Sequence, residues 1–193
     1  MDQRTLIALA LVVAVVVIAA IVIVVSRKRR LERLKQHFGP EYDRALLERG
    51  DAAKAAEELM NREKRVHSFQ IKTLTSAMRD RFADDWAIIQ NRFVDDPAVA
   101  VNEADLLVNR VMLERGYPVA NFEQRTADVS VSYPAVVQNY RAARFIVDCH
   151  GRGEAGTEDL RQAMVHYRSL FDELLGVQTN AAATRGVAYE RAS

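Results

Sequence analysis

With one cysteine in the whole chain, Cys149, there is no partner for an intramolecular disulfide, which suits a reducing compartment. Histidine is scarce as well: His37, His67, His150 and His166 stand at no metal-site spacing. Neither the His-Glu-x-x-His of zinc proteases nor the Glu-x-x-His of di-iron bundles occurs. No pair of strands joined by hairpin turn chemistry can be found. The chain also lacks a strong excess of either charge, its formal net charge being +1. That near-neutrality hides two regions. Residues 1 to 35 carry seven basic and two acidic side chains, and residues 36 to 193 carry twenty basic and twenty-four acidic ones. The larger part is therefore mildly acidic, and no nucleic-acid partner is expected of it.

What is present begins with Leu6 to Val25, twenty residues without a charge, an amide, a hydroxyl, a proline or a glycine. As a helix this run measures about 30 Å, the thickness of a bilayer's hydrocarbon core, so a single transmembrane helix is expected over 6–25, after a short N-terminus at 1–5. A cleaved signal peptide needs a basic start, a shorter apolar core and a small-x-small site just beyond it. Here the run ends in Ile23, Val24 and Val25 followed by Arg27, so a retained anchor is expected. Arg27, Lys28, Arg29, Arg30, Arg33 and Lys35 follow the run, against Asp2 and Arg4 before it. Basic residues collect on the cytoplasmic side, which predicts an outside N-terminus and a cytoplasmic C-terminal domain. The same six residues serve as a stop-transfer signal and suit contact with anionic lipid head groups.

Beyond the anchor, residues 26–68 read as a basic juxtamembrane segment and a polar, coiled-coil-like helical stalk, broken at Gly39-Pro40 and at Gly50. Residues 69–177 read as a small helical domain. Four apolar stripes recur at helical spacing: Met78, Phe82, Trp86, Ile89 and Phe93; Val101, Ala104, Val108 and Val111; Val136, Tyr140, Ala143 and Val147; and Leu160, Met164, Tyr167, Phe171 and Leu174. Asp96-Pro97 marks a helix start, Gly116 with Pro118 a stop, Pro134 a first turn, and Thr157 a capping hydroxyl before Glu158 and Asp159. A short helix over 121–129 makes a fifth. Residues 178–193 show no apolar period and are expected to be disordered. The expected fold class is therefore all-α, with a single N-terminal transmembrane helix, a polar helical stalk and a bundle of about four to five helices.

Candidate chemistry is sparse. Gly151 to Gly156 matches G-x-G-x-x-G after the β-capable Phe145-Ile146-Val147, but a dinucleotide fold also needs a parallel sheet and a second strand, and only a polar tail follows the next helix. A flexible inter-helix loop is the preferred reading. An internal echo pairs Arg81-Phe82-Ala83-Asp84-Asp85 with Arg92-Phe93-Val94-Asp95-Asp96, three helical turns apart. If both copies faced one way, Asp84, Asp85, Asp95 and Asp96 would line up as candidates for a divalent cation. The commoner explanation is two i to i+4 ion pairs plus a cap, and no EF-hand loop surrounds the acids. Cys149 beside His150 gives no nucleophile by itself, since helix neighbours point apart, and a partner such as His166 would have to lie close in space. No catalytic residue and no cofactor are assigned.

The segments HFGPEYDRAL (37–46), NRFVDDP (91–97), RGYP (115–118), FEQRTADVSV (122–131) and TEDLRQAMVHYRSLFDELL (157–175) resemble an uncharacterised family of N-terminally membrane-anchored helical bacterial proteins, often labelled hypothetical or secreted. The resemblance covers the anchor, the stalk and the compact domain. It implies location at the bacterial inner membrane and carries no activity. The label "secreted" conflicts with the charge asymmetry, which favours the cytoplasmic side. The function expected is a bitopic membrane protein whose helical domain binds another protein or itself, with membrane lipids met through the anchor. The alternative is a sensor or enzyme taking a small ligand or a metal in a pocket between helices.

Overall fold

The structure is a computed structural model that describes residues 3–118 and 120–176, with side chains from residue 13 onward. Among the described residues the backbone forms eight helices and no strand, so the chain is all-α. The tail at 178–193, expected to be disordered, lies outside the described residues. By the density of its contacts the chain divides into two compact units, 1–59 and 60–193.

In the first unit α1 runs Gln3–Phe38 and α2 Pro40–Arg49, and the two pack together. The transmembrane span expected at 6–25 falls partly on residues 6–12, whose side chains lie outside the described ones. Among the described residues no helix is long and apolar enough to cross a membrane. The described part of the run, Val13 to Val25, makes about 20 Å of helix before Ser26 and Arg27. Its valines and isoleucines are all exposed, from 40% to 64%. The six basic residues continue α1 and are exposed in turn. Gly39 separates α1 from α2, and Pro40 takes the first helical position, where its missing N–H goes unneeded. Gly50 closes α2 by donating its N–H to Leu46 O at 2.8 Å. Asp51 then caps α3, Ala52–His67, accepting from Ala53 N at 2.9 Å and Lys54 N at 3.0 Å. The segment expected as a polar stalk thus has a buried side: Leu34, Phe38, Tyr42, Ala45, Ala55, Ala56 and Leu59 are all under 8% exposed.

The second unit holds α4 (Ser76–Arg92), α5 (Pro97–Glu114), α6 (Phe122–Ser132), α7 (Val137–Gly151) and α8 (Thr157–Leu175) around one core. The bundle reading holds, with five helices sharing that core. α8 packs on both α5 and α7, α4 packs on α5, and α6 on α7. The second and fourth stripes are both buried: Val101, Ala104, Val108 and Val111 are 1% exposed or less, and Leu160, Met164, Tyr167, Phe171 and Leu174 are 8% or less. Trp86 of α4 meets Phe171 with ring centroids 4.8 Å apart, and Tyr140 of α7 meets Tyr167 at 6.1 Å.

Two starts differ from expectation. Pro134 lies in the turn before α7 rather than in its first helical turn. At α8 the N-cap is Gly156, and it is the Asp159 carboxylate, not the Thr157 hydroxyl, that accepts the free Gly156 N–H at 2.8 Å. An acid at that position also favours the positive end of the helix dipole.

Polar pairs distant in sequence fasten the elements. Asp128, 2% exposed, accepts from Arg65 Nε at 2.7 Å and from Gln124 Nε2 at 2.9 Å. Arg115, just past α5, donates to Leu174 O at 2.7 Å, completing a carbonyl that the end of α8 leaves unpaired. Its own carbonyl accepts from Lys72 N at 2.9 Å, which lays the segment before α4 across the end of α5.

Candidate functional site

The glycine-rich sequence lies at the junction of α7 and α8. Phe145-Ile146-Val147 is helical, inside α7, so the Gly151 to Gly156 sequence follows a helix and not a strand. The nucleotide alternative fails on that point. The N-terminus of α8 is moreover filled by its own acids, Glu158 and Asp159 in the first turn, where a phosphate would need empty N–H groups. Cys149 and His150 point to different partners: Arg152 donates to Cys149 Sγ at 3.2 Å, and His150 Nδ1 lies 2.9 Å from Ala155 O. Among the described residues no histidine hydrogen-bonds the thiol.

The acidic echo also comes apart. α4 ends at Arg92, so Asp95 and Asp96 stand in the following turn rather than on the helix carrying Asp84 and Asp85. The four aspartates therefore do not form one row. Among the described residues no cluster of three or more potential ligands could hold a metal ion. Asp96 acts as the cap expected of it, accepting from Val99 N at 3.1 Å. The i to i+4 ion pairs are replaced by pairs between helices, Asp85 with Arg110 at 3.2 Å and Arg92 with Glu103.

Those two pairs frame an open surface between α4 and α5. α5 is apolar on two opposite sides. Ala100, Val101, Ala104, Leu107, Val108 and Val111 face the core. Val99, Leu106 and Leu113 face outward at 41%, 62% and 47% exposure, spaced seven residues apart. Ile88 of α4, 59% exposed, stands beside them. Between the two helices Ile88, Leu106 and Leu113 line an open groove of about 550 Å³, bounded by the Asp85–Arg110 and Arg92–Glu103 pairs. Large apolar side chains ordinarily turn inward, and exposed apolar side chains gathered at Ile88, Leu106 and Leu113 and rimmed by charge mark a surface for another macromolecule. Seven-residue spacing puts the three on one line of the helix, with Asn102 and Asn109 one turn on and the charges at positions 103 and 110 in the flanking places that choose a partner.

A second groove of about 400 Å³, over Trp86, Phe93 and Met164, carries Arg161 and Arg168. Both guanidiniums are engaged. Arg161 grips Glu158, whose hydrogen bonds with Arg161 and Gln162 bring its carboxyl down to about 2. Arg168 pairs with Asp172 at 2.7 Å while lying 5.4 Å from the Trp86 ring centre. Little positive charge is left over for an anionic ligand.

Inside the bundle the Tyr140 hydroxyl donates to Asn109 Oδ1 at 3.2 Å. Burial, reinforced by the nearby Asp105 carboxylate, pushes both Tyr140 and Tyr167 far above the usual tyrosine value. Burial of this kind favours the protonated form of both hydroxyls. Comparison with family models, characterised proteins and solved structures finds no match to the chain.

Proposed function

We propose that this protein is a membrane-anchored helical interaction module whose working surface is the outward face of α4 and α5. The observation that carries the reading is the exposed row Val99, Leu106 and Leu113 with Ile88 beside it, the central Leu106 and Ile88 being flanked on either side by an inter-helix ion pair. Among the described residues no group of three or more potential metal ligands comes together, and the Cys149 thiol accepts from Arg152.

The anchor belongs to the same proposal. An uncharged apolar run over 6–25 is long enough for a bilayer, and the exposed valines and isoleucines from Val13 to Val25 have nothing but solvent to face unless lipid covers them. Arg27, Lys28, Arg29, Arg30, Arg33 and Lys35 would then lie at the cytoplasmic leaflet of the bacterial inner membrane, each worth about 1 kcal/mol against anionic head groups.

Two measurements test these parts separately. A reporter fused after residue 176 is expected to be active in the cytoplasm, and activity only on the far side of the membrane refutes the orientation. For the working surface, in-cell photocrosslinking from position 106 in the full-length chain is expected to trap a protein. The same probe at exposed Glu154, outside the groove, is expected to trap none. Equal trapping from both positions removes the support for this face.

A further inference from the structure

The charges around the α4–α5 groove are arranged symmetrically. Asp85 and Arg92 stand equally far on either side of the Ile88–Ile89 midpoint of α4. Glu103 and Arg110 stand equally far on either side of the Leu106–Leu107 midpoint of α5. Because Asp85 pairs with Arg110 and Arg92 with Glu103, the two midpoints lie at the same height on the antiparallel hairpin. The four charges are thus the corners of a rectangle with alternating signs, and its centre is apolar. A checkerboard of this kind is complementary to a copy of itself turned over by a two-fold rotation, the operation that makes an isologous dimer.

Two in-plane axes would match the charges, and the apolar row chooses between them. An axis along the helices would lay α4 on the partner's α5 and set Val99 against the level of Asp95 and Asp96. An axis across the helices lays α5 antiparallel on the partner's α5. Val99 then meets the partner's Leu113, Leu106 lies by the partner's Leu106, and Ile88 by the partner's Ile88. Only the second arrangement covers the whole exposed row with apolar surface, at heptad spacing. Asp85 then meets the partner's Arg92, and Glu103 the partner's Arg110. Exposed ion pairs contribute little to affinity, but they set register by penalising alignments that bring like charges together.

We infer that the occupant of the α4–α5 face is a second copy of this chain, related by a two-fold axis across the helices so that α5 packs antiparallel on α5. The inference rests on the docking-face reading above and names its partner.

Disulfide trapping in the full-length protein tests it, in a Cys149→Ser background that removes the chain's one cysteine. Leu106→Cys is expected to form a covalent dimer with itself. Val99→Cys and Leu113→Cys are each expected to remain monomeric alone and to join when mixed. Sedimentation of the detergent-solubilised chain supplies the second measurement: Leu106→Glu is expected to weaken dimerisation by about tenfold or more, as a central interface residue does. Its 62% exposure in the single chain makes the change tolerable to the fold. If Ile88→Cys joins Leu106→Cys while neither Leu106→Cys alone nor the Val99 and Leu113 mixture reacts, the axis is wrong and the inferred packing of α5 on α5 is overturned. If Leu106→Cys traps a different protein and no dimer, the second copy is overturned while the docking face stands. If no cysteine on the face traps anything and Leu106→Glu sediments like the unchanged protein, both fall.

Discussion

Gly116 tests how the start of the second unit is joined to its bundle. Its φ of +95° lies in the left-handed region, and a Cβ built there would stand 2.4 Å from the backbone carbonyl oxygen of Gln70. Gly116→Ala therefore carries two penalties. The backbone conformation costs an L-residue about 1–3 kcal/mol. The clash is with backbone rather than a flexible side chain, so the segment around Gln70 must retreat. That retreat strains the hydrogen bond from Lys72 N to Arg115 O, worth about 1 kcal/mol. The expected loss is about 2–4 kcal/mol, a large share of the 5–15 kcal/mol that holds a typical domain. Gly153 supplies the control, since its φ is +76° and nothing lies within 4 Å of a Cβ added there. Gly153→Ala should cost only the conformational part, about 1 kcal/mol. Urea unfolding of the full chain can be followed by Trp86, the single tryptophan, which is buried against Phe171. If Gly116→Ala is no less stable than Gly153→Ala, the close approach to Gln70 does not constrain this part of the fold.

Further outcomes follow from the polar anchors. Asp128→Ala leaves Arg65 without its buried acceptor and should lower stability by about 2–3 kcal/mol, moderated because the Arg65 side chain is 38% exposed; a loss below half a kcal/mol in the same unfolding assay contradicts the pair's role. Tyr140 and Tyr167 titrate above their unfolded value of 10, so their contribution is intact below pH 10 and is lost as pH rises beyond it. Each should remove up to about 1.4 kcal/mol per pH unit there. Unfolding compared at pH 9 and pH 11 should show that decline, and Tyr140→Phe should reduce it.

Helical periodicity located the stripe Leu160, Met164, Tyr167, Phe171 and Leu174 correctly, because a helix at the centre of a bundle must present one continuous apolar side. The cap at Asp96 was legible for a local reason, a side chain reaching three residues along its own chain. Ion pairing was not. Arg92 has an acid four residues on, yet α4 stops at Arg92 and Glu103 of the neighbouring helix takes it. Arg65 and Asp128 lie 63 positions apart, a separation no local rule bridges. The spacing of Val99, Leu106 and Leu113 stood in the sequence throughout. It carries no separate signal there because Val101, Ala104, Val108 and Val111 already supply α5 with a core side, and one side is all that folding requires. Only burial distinguishes the second apolar side of α5 from the first.

The burial of α8 also bears on the order in which the protein is made. α8 is the last described helix, and it covers the side of α5 that faces inward as well as Trp86 of α4. Until residue 175 or so has left the ribosome, the nascent chain holds an α4–α5 hairpin whose outward row is exposed and whose inward side lacks the cover of α8. Synthesis adds about 5–20 residues per second, so the roughly sixty residues from the end of α5 to the end of α8 leave that hairpin uncovered for some seconds. A chain stalled or cleaved within that stretch would present the docking row and the raw core side by side, and would be a natural client for chaperones and proteases.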